Sequence, residues 1–185
     1  ELTRSATERP DFWRGLAEAA RTVYDGPLTY AANWHKAYDS IQFWGALDYV
    51  GVQAYFPLTD ATDPSLAALR TGWGPHRAAL AEVHERTGRP VLLTEVGYRS
   101  AEGAAARPWE WPERDDGATP DAALQARCYR AFLSTVGRAP WLKGGIIWKW
   151  HPPAEVEGPT AFTPQGKPAE RVLRRWFTGA ASSQS

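Results

Sequence analysis

Pro90-Val91-Leu92-Leu93-Thr94-Glu95-Val96-Gly97-Tyr98 is the stretch on which the fold turns. It is apolar for the length of a strand, follows Gly88-Arg89, and carries no charge before Glu95. Such a run reads as a strand buried on both faces of a parallel sheet. Two-residue alternation puts Val91, Leu93 and Glu95 on one side, with Leu92 and Thr94 on the other. A carboxylate at the C-terminal end of such a strand lies where α/β barrels and open α/β sheets keep their pockets, among the loops leaving that edge. Glu95 is therefore the candidate catalytic centre.

Working outward, the spacing predicts a helix from Pro75 to Arg86 with Ala79, Leu80 and Val83 inward, stopped by Thr87-Gly88. Earlier still, Asp48 to Phe56 reads as a strand closed by Pro57, which bars further ladder pairing. Before it come a short helical piece with Ile41, Trp44, Ala46 and Leu47, and a strand from Pro27 to Trp34. The first helix is expected over Pro10 to Asp25, with Trp13, Leu16, Ala17, Ala20, Val23 and Tyr24 on one face and Gly26-Pro27 as its stop. On the other side of Glu95, a loop of about twenty residues, Arg99 to Ala118, is long enough to be functional or disordered. Thr119-Pro120-Asp121 starts a helix through capping hydroxyl, proline and acid, and Leu124, Cys128, Phe132 and Val136 line it up to Gly137. Lys143 to Trp150 is the last strand, and Pro168 to Phe177 the last helix, with Val172, Leu173, Trp176 and Phe177 inward. A domain over residues 1–178 and a frayed tail over 179–185 follow from this division.

Composition bounds the function. The 185 residues carry 21 basic and 21 acidic side chains, so neither nucleic acid nor an anionic membrane is an expected partner. No apolar run approaches the roughly 20 residues that span a bilayer. One cysteine, Cys128, excludes an internal disulfide and a cysteine-based metal site. Ten tryptophans suit a core or a sugar cleft. Trp13, Trp44, Trp141 and Trp176 fall on helices or turns and are expected in the core. The chain opens at Glu1 and contains no methionine, from which a truncated chain is expected.

Strand and helix alternate four times after the first helix, which implies parallel strands with right-handed crossovers. Four units are half of a (β/α)₈ barrel, which takes about 250 residues, or else a small doubly wound sheet. No glycine-rich phosphate loop follows any strand, which counts against a nucleotide-binding sheet.

Six segments carry a resemblance: Glu1-Leu2; Leu28 to Trp34; Asp48 to Leu58; Thr94 to Tyr98; Gly145 to Trp150; and Phe162 to Pro168. In this order they resemble glycoside hydrolase family 113, retaining β-mannanases of the barrel glycosidase clan. The resemblance implies an α/β fold, the C-terminal half of a (β/α)₈ TIM barrel with strands five to eight and their helices. It implies that Glu95 is the nucleophile on the seventh strand and that Glu1 is the acid/base after the fourth. The N-terminal half-barrel would then be missing from the chain.

Retaining hydrolysis needs two carboxyl groups about 5–5.5 Å apart, one ionised and one protonated. Tyr55, sharing parity with Gly51 and Gln53 on the strand next to that of Glu95, can donate its hydroxyl to the nucleophile and hold it ionised. Asn33 and Trp34, at the end of the fifth strand, are expected sugar contacts. Trp148 and Trp150, on one face of the last strand, offer a floor for a pyranose ring, and Trp109 and Trp111 offer subsite walls. The partner implied is an oligo- or polysaccharide, most directly β-1,4-mannan, and no cofactor is required.

Plainer readings stand beside these. Tyr55 also reads as a core tyrosine, Asn33 as a turn residue, Glu1 as an exposed terminal acid, and Trp109 and Trp111 as packing for their own loop. A metal-dependent hydrolase using His35 and His151 is one alternative class. His76 and His84 lie eight positions apart on one helix and do not suit one ion, and the metal expectation is none. A non-catalytic carbohydrate-binding remnant is the other alternative, since a half barrel exposes two sheet edges and lacks the floor of the cleft; such open edges also predict a piece that is unstable or dimeric on its own and hydrolytically poor.

Overall fold

The structure, a computed structural model, describes residues 2–35, 37–111, 117–152 and 158–179. It divides into two compact units, interleaved along the chain. One takes Glu1–Ala54, His76–Val96 and Ala139–Ile146; the other takes Tyr55–Pro75, Gly97–Arg138 and Ile147–Ser185. No described helix is long and apolar enough to cross a membrane.

The first unit is built on a four-stranded sheet, in the order β1 (Ala31–Asn33), β2 (Val50–Gln53), β3 (Val91–Val96) and β4 (Leu142–Ile147). The β1–β2 and β2–β3 ladders are parallel, as the alternation of elements requires. Val50, Val52, Val91 and Leu93 are fully buried, because apolar side chains are excluded from water on this face of the sheet. Gly51 lets β1 approach: a Cβ there would lie 2.3 Å from the Tyr30 carbonyl oxygen. Helices α1 (Thr3–Glu8) and α2 (Pro10–Arg21) precede β1. Trp13 stacks on Phe43 at 5.6 Å, and Trp44, in a 3₁₀ turn over Trp44–Ala46, donates its indole N–H to the Tyr38 carbonyl at 2.9 Å. Burial beside Asp39 and Glu82 pushes the Tyr38 hydroxyl up to about 12.

In the second unit, α4 (Ala122–Thr135) buries Leu124, Cys128 and Phe132, and Val136 is buried just beyond it. This is the expected stripe. The helix packs against α5 (Pro168–Phe177), whose predicted bounds hold. Trp73 is fully buried, with ring contacts to Phe56 at 5.6 Å and Phe132 at 5.7 Å.

Several sequence expectations need correction. All four strands are shorter than predicted at one or both ends, since ladder pairing and not hydrophobicity sets their limits. α1 is absent from the prediction. α3 runs over Leu66–Thr87, so Pro75 is interior and not the start. A proline suits a first turn, but here the burial of Leu69 and Trp73 carries the helix back through it at the loss of one N–H. The cap of α4 is Asp121, whose carboxylate accepts from Leu124 N at 2.7 Å; Thr119 instead accepts a backbone bond from Glu102, and Pro120 bridges Ala101. α2 stops at Arg21, and Leu16 (48% exposed), Val23 (88%) and Tyr24 lie in solvent, as does Phe177 on α5 (66%). Of the tail, residues 180–185 lie outside the described residues.

Candidate active site

Glu95 stands one residue from the end of β3, where the register breaks. Val50, Gly51 and Val52 face Val91, Leu92 and Leu93 in step, but Gln53 faces Glu95 and not Thr94. Two residues of β3 thus answer one of β2, a bulge that changes which face the next side chain takes. Simple alternation grouped Glu95 with Val91 and Leu93; the bulge moves it to the side of Gln53. There the Gln53 amide Nε2 donates to Glu95 Oε1 at 2.7 Å, and the Ala54 N–H donates to the Glu95 carbonyl at 2.7 Å. Both side chains are half-buried. Sequence reasoning named Gln53 only for its parity and missed it as the carboxylate's partner. The signal available was a glutamine, a side chain with no apolar role, inside an otherwise apolar strand.

Asn33 closes β1, and its Oδ1 accepts the His35 N–H at 2.7 Å, the turn role weighed against sugar binding. Trp34 is half-buried, with its ring edge-on to His35 at 5.1 Å. These residues belong to the same unit as Glu95.

The other unit holds a continuous aromatic wall. Tyr55 packs edge-on to Phe162 at 6.3 Å, Phe162 meets Trp111 at 5.6 Å, and Trp111 meets Trp148 at 6.3 Å. The Lys149 ammonium sits 5.4 Å from the Trp111 ring centroid, a cation–π contact. Trp148 and Trp150 do not share a strand face, because β4 ends at Ile147. Trp148 is half-buried, and the Trp148–Lys149 peptide bond is cis. Trp150 and Trp109 are exposed. Phe162, which sequence reasoning left as a motif residue, is the centre of the wall and 2% exposed. Gly97 makes room for Trp148: a Cβ there would fall 2.6 Å from the Trp148 carbonyl oxygen.

Glu1, the second carboxylate of the sequence reading, lies outside the described residues. Among the described residues, no group of three or more His, Cys, Asp and Glu side chains could hold a metal ion.

The profile of Glycoside Hydrolase Family 113 matches residues 1–177. The chain belongs to this family. Its structure is similar to that of the family-113 β-mannanase from Alicyclobacillus acidocaldarius, with a TM-score of 0.80 and 29% identity over 98% of this chain and 54% of that one. It is also similar to a family-113 β-1,4-mannanase, at TM-score 0.78 and 25% identity over 94% and 52%. A β-glucuronidase from Faecalibacterium prausnitzii, 18% identical, shares the fold at TM-score 0.59 over 95% and 29%. No curated protein matches. This family-113 chain spans about half the length of the mannanase structures it matches, and its α/β fold with parallel strands matches their (β/α)₈ barrel.

Beyond Glu95, the family-113 chain runs into Tyr98, which is fully buried against Tyr129 at 5.4 Å. Burial raises both hydroxyls and the Cys128 thiol well above their ordinary values, so these groups stay protonated and support the wall by packing. Gln125 is also fully buried and donates through Nε2 to the Tyr98 and Phe162 carbonyls, each at 2.9 Å. One amide thus ties the segment after β3 to the segment that carries Phe162.

Proposed function

We propose that this chain is the C-terminal half of a (β/α)₈ glycoside hydrolase, its strands being the fifth to eighth of the barrel and residues 1–178 part of the catalytic domain. The whole protein then cleaves β-linked polysaccharide, β-1,4-mannan in the first place, by a retaining double displacement. What carries the reading is Glu95, a carboxylate at the C-terminal end of a parallel strand in a chain of family 113.

In that mechanism an oxygen of Glu95 bonds to the anomeric carbon while the bond to the leaving sugar oxygen breaks. Glu1 gives its proton to that oxygen, and then takes one from the water that hydrolyses the glycosyl ester. Tyr55 donates its hydroxyl to the nucleophile. Asn33 and Trp34 contact sugar, Trp148 provides the floor for a ring, and Trp109, Trp111 and Trp150 form outer walls. Apolar C–H faces of a pyranose suit indole, which is the physical reason for giving these five tryptophans to the sugar. No metal or cofactor takes part.

The remaining four β/α units are the partner this reading requires. Among the described residues β1 and β4 each have one strand neighbour, and Ile146 on β4 is 57% exposed. A parallel edge of this kind is covered when the barrel closes.

The test is Glu95→Gln in the full-length protein. Hydrolysis of β-1,4-mannan should fall by at least about a thousandfold, with affinity for mannooligosaccharide within a few-fold of wild type. Wild-type turnover in that variant would remove Glu95 from the mechanism.

A further inference from the structure

We infer that Gln53 is the positioning residue for the Glu95 carboxylate, an inference that rests on Glu95 being the nucleophile. A regular β2–β3 ladder would set Gln53 opposite Thr94; the extra residue of β3 brings Glu95 there, and the amide Nε2 donates to Oε1 at 2.7 Å. A backbone bond and buried neighbours hold the two strands together at this point. Ala54 N–H donates to the Glu95 carbonyl at 2.7 Å, and Gly51, Val52 and Ala54 around Gln53 are buried. The donor and the carboxylate therefore stand on adjacent rigid strands and not on loops.

The chemistry favours an amide at this place. A nucleophilic carboxylate loses its negative charge as it bonds to the anomeric carbon. A lysine or arginine at the same distance would hold the ionised form more tightly and oppose that loss. A neutral N–H orients the group with a weaker ground-state bond. The bond fixes the plane of the carboxylate, and with it the direction in which the attacking oxygen points. Misaiming a reacting atom by about an ångström costs roughly a hundredfold in rate. Loss of the donor should therefore slow bond formation by roughly 10- to 100-fold while leaving sugar binding unchanged.

The experiment traps the glycosyl-enzyme in the full-length protein with 2-deoxy-2-fluoro-β-mannobiosyl fluoride. Glu95 bonds to C1, fluoride leaves with the electron pair, and the fluorine at C2 slows hydrolysis enough for the ester to accumulate. Wild type is compared with Gln53→Met, which keeps the length and removes the donor. Peptide mapping should place the label on Glu95 in both proteins. The first-order trapping constant should fall by roughly 10- to 100-fold in the variant, with the half-saturating concentration of reagent within about twofold. A trapping constant within about threefold of wild type overturns the positioning role while leaving Glu95 as nucleophile. A label on another residue of the wild type removes the nucleophile, and this inference with it. Should circular dichroism find Gln53→Met unfolded, Gln53→Ala supplies the same two constants.

Discussion

Replacing Gln125 with leucine should destabilise the protein out of proportion to the small change in shape. The side chain is fully buried on α4, and its Nε2 donates to Tyr98 O and Phe162 O at 2.9 Å each. Leucine fills the space but leaves two buried carbonyls without this donor, at about 1–3 kcal/mol apiece. At the middle of that range the two carbonyls cost about 4 kcal/mol and the extra apolar burial of leucine returns about 1–2 kcal/mol, so the net loss is about 2–3 kcal/mol. For a chain of this size that is a fall in melting temperature of roughly 4–12 °C. Gln125→Glu sharpens the test. At pH 7 it places a carboxylate where both neighbours are carbonyl oxygens, and the loss should exceed that of leucine; toward pH 4 the protonated carboxyl can donate to one of them and recover part of it. Urea unfolding of wild type and both variants at pH 7 and pH 4 measures these differences. A leucine variant within about 0.5 kcal/mol of wild type, or a glutamate variant no worse than leucine at pH 7, would refute the claim that this amide is the tie.

Two further perturbations address the wall and the sheet. Gly97→Ala puts a methyl group 2.6 Å from the Trp148 carbonyl and 3.1 Å from its Cβ, and both neighbours are held by packing. We expect a loss of about 1–3 kcal/mol in stability and a mannooligosaccharide affinity several-fold weaker by calorimetry; unchanged values in both would mean the backbone yields freely there. In the sheet unit, the Leu28 N–H at 2.7 Å and the Arg21 guanidinium at 2.8 Å hold the Asp48 carboxyl below its ordinary value of 3.8. Because the folded value is the lower one, the stability this group contributes is present above pH 3.8 and is lost as pH falls through the folded value. Asp48→Asn should therefore melt below wild type at pH 6 and approach it toward pH 2. A difference that does not change with pH would assign the effect to packing instead.

Much of the fold was legible in the chain. Buried parallel strands announce themselves as apolar runs, as Val91 to Leu93 do, and glycine and proline mark where they stop. The stripe of α4 and the bounds of α5 were readable for the same local reason, a spacing of three and four that begins at or just after a proline. Errors fell where tertiary packing outweighs local preference. α3 runs through Pro75 because Leu69 and Trp73 are buried, and α2 ends at Arg21, with Leu16 on it and Val23 beyond it in solvent.

The amino-acid order by itself determined that a parallel sheet forms, that Glu95 ends one of its strands, and that the chain is of family 113. Which face Glu95 takes, and which group holds it, only the tertiary structure decided. A bulge is a mismatch between two strands and belongs to neither alone, so no reading of one segment contains it. Here that single extra residue of β3 moves the carboxylate from the side of Val91 and Leu93 to the side of Gln53.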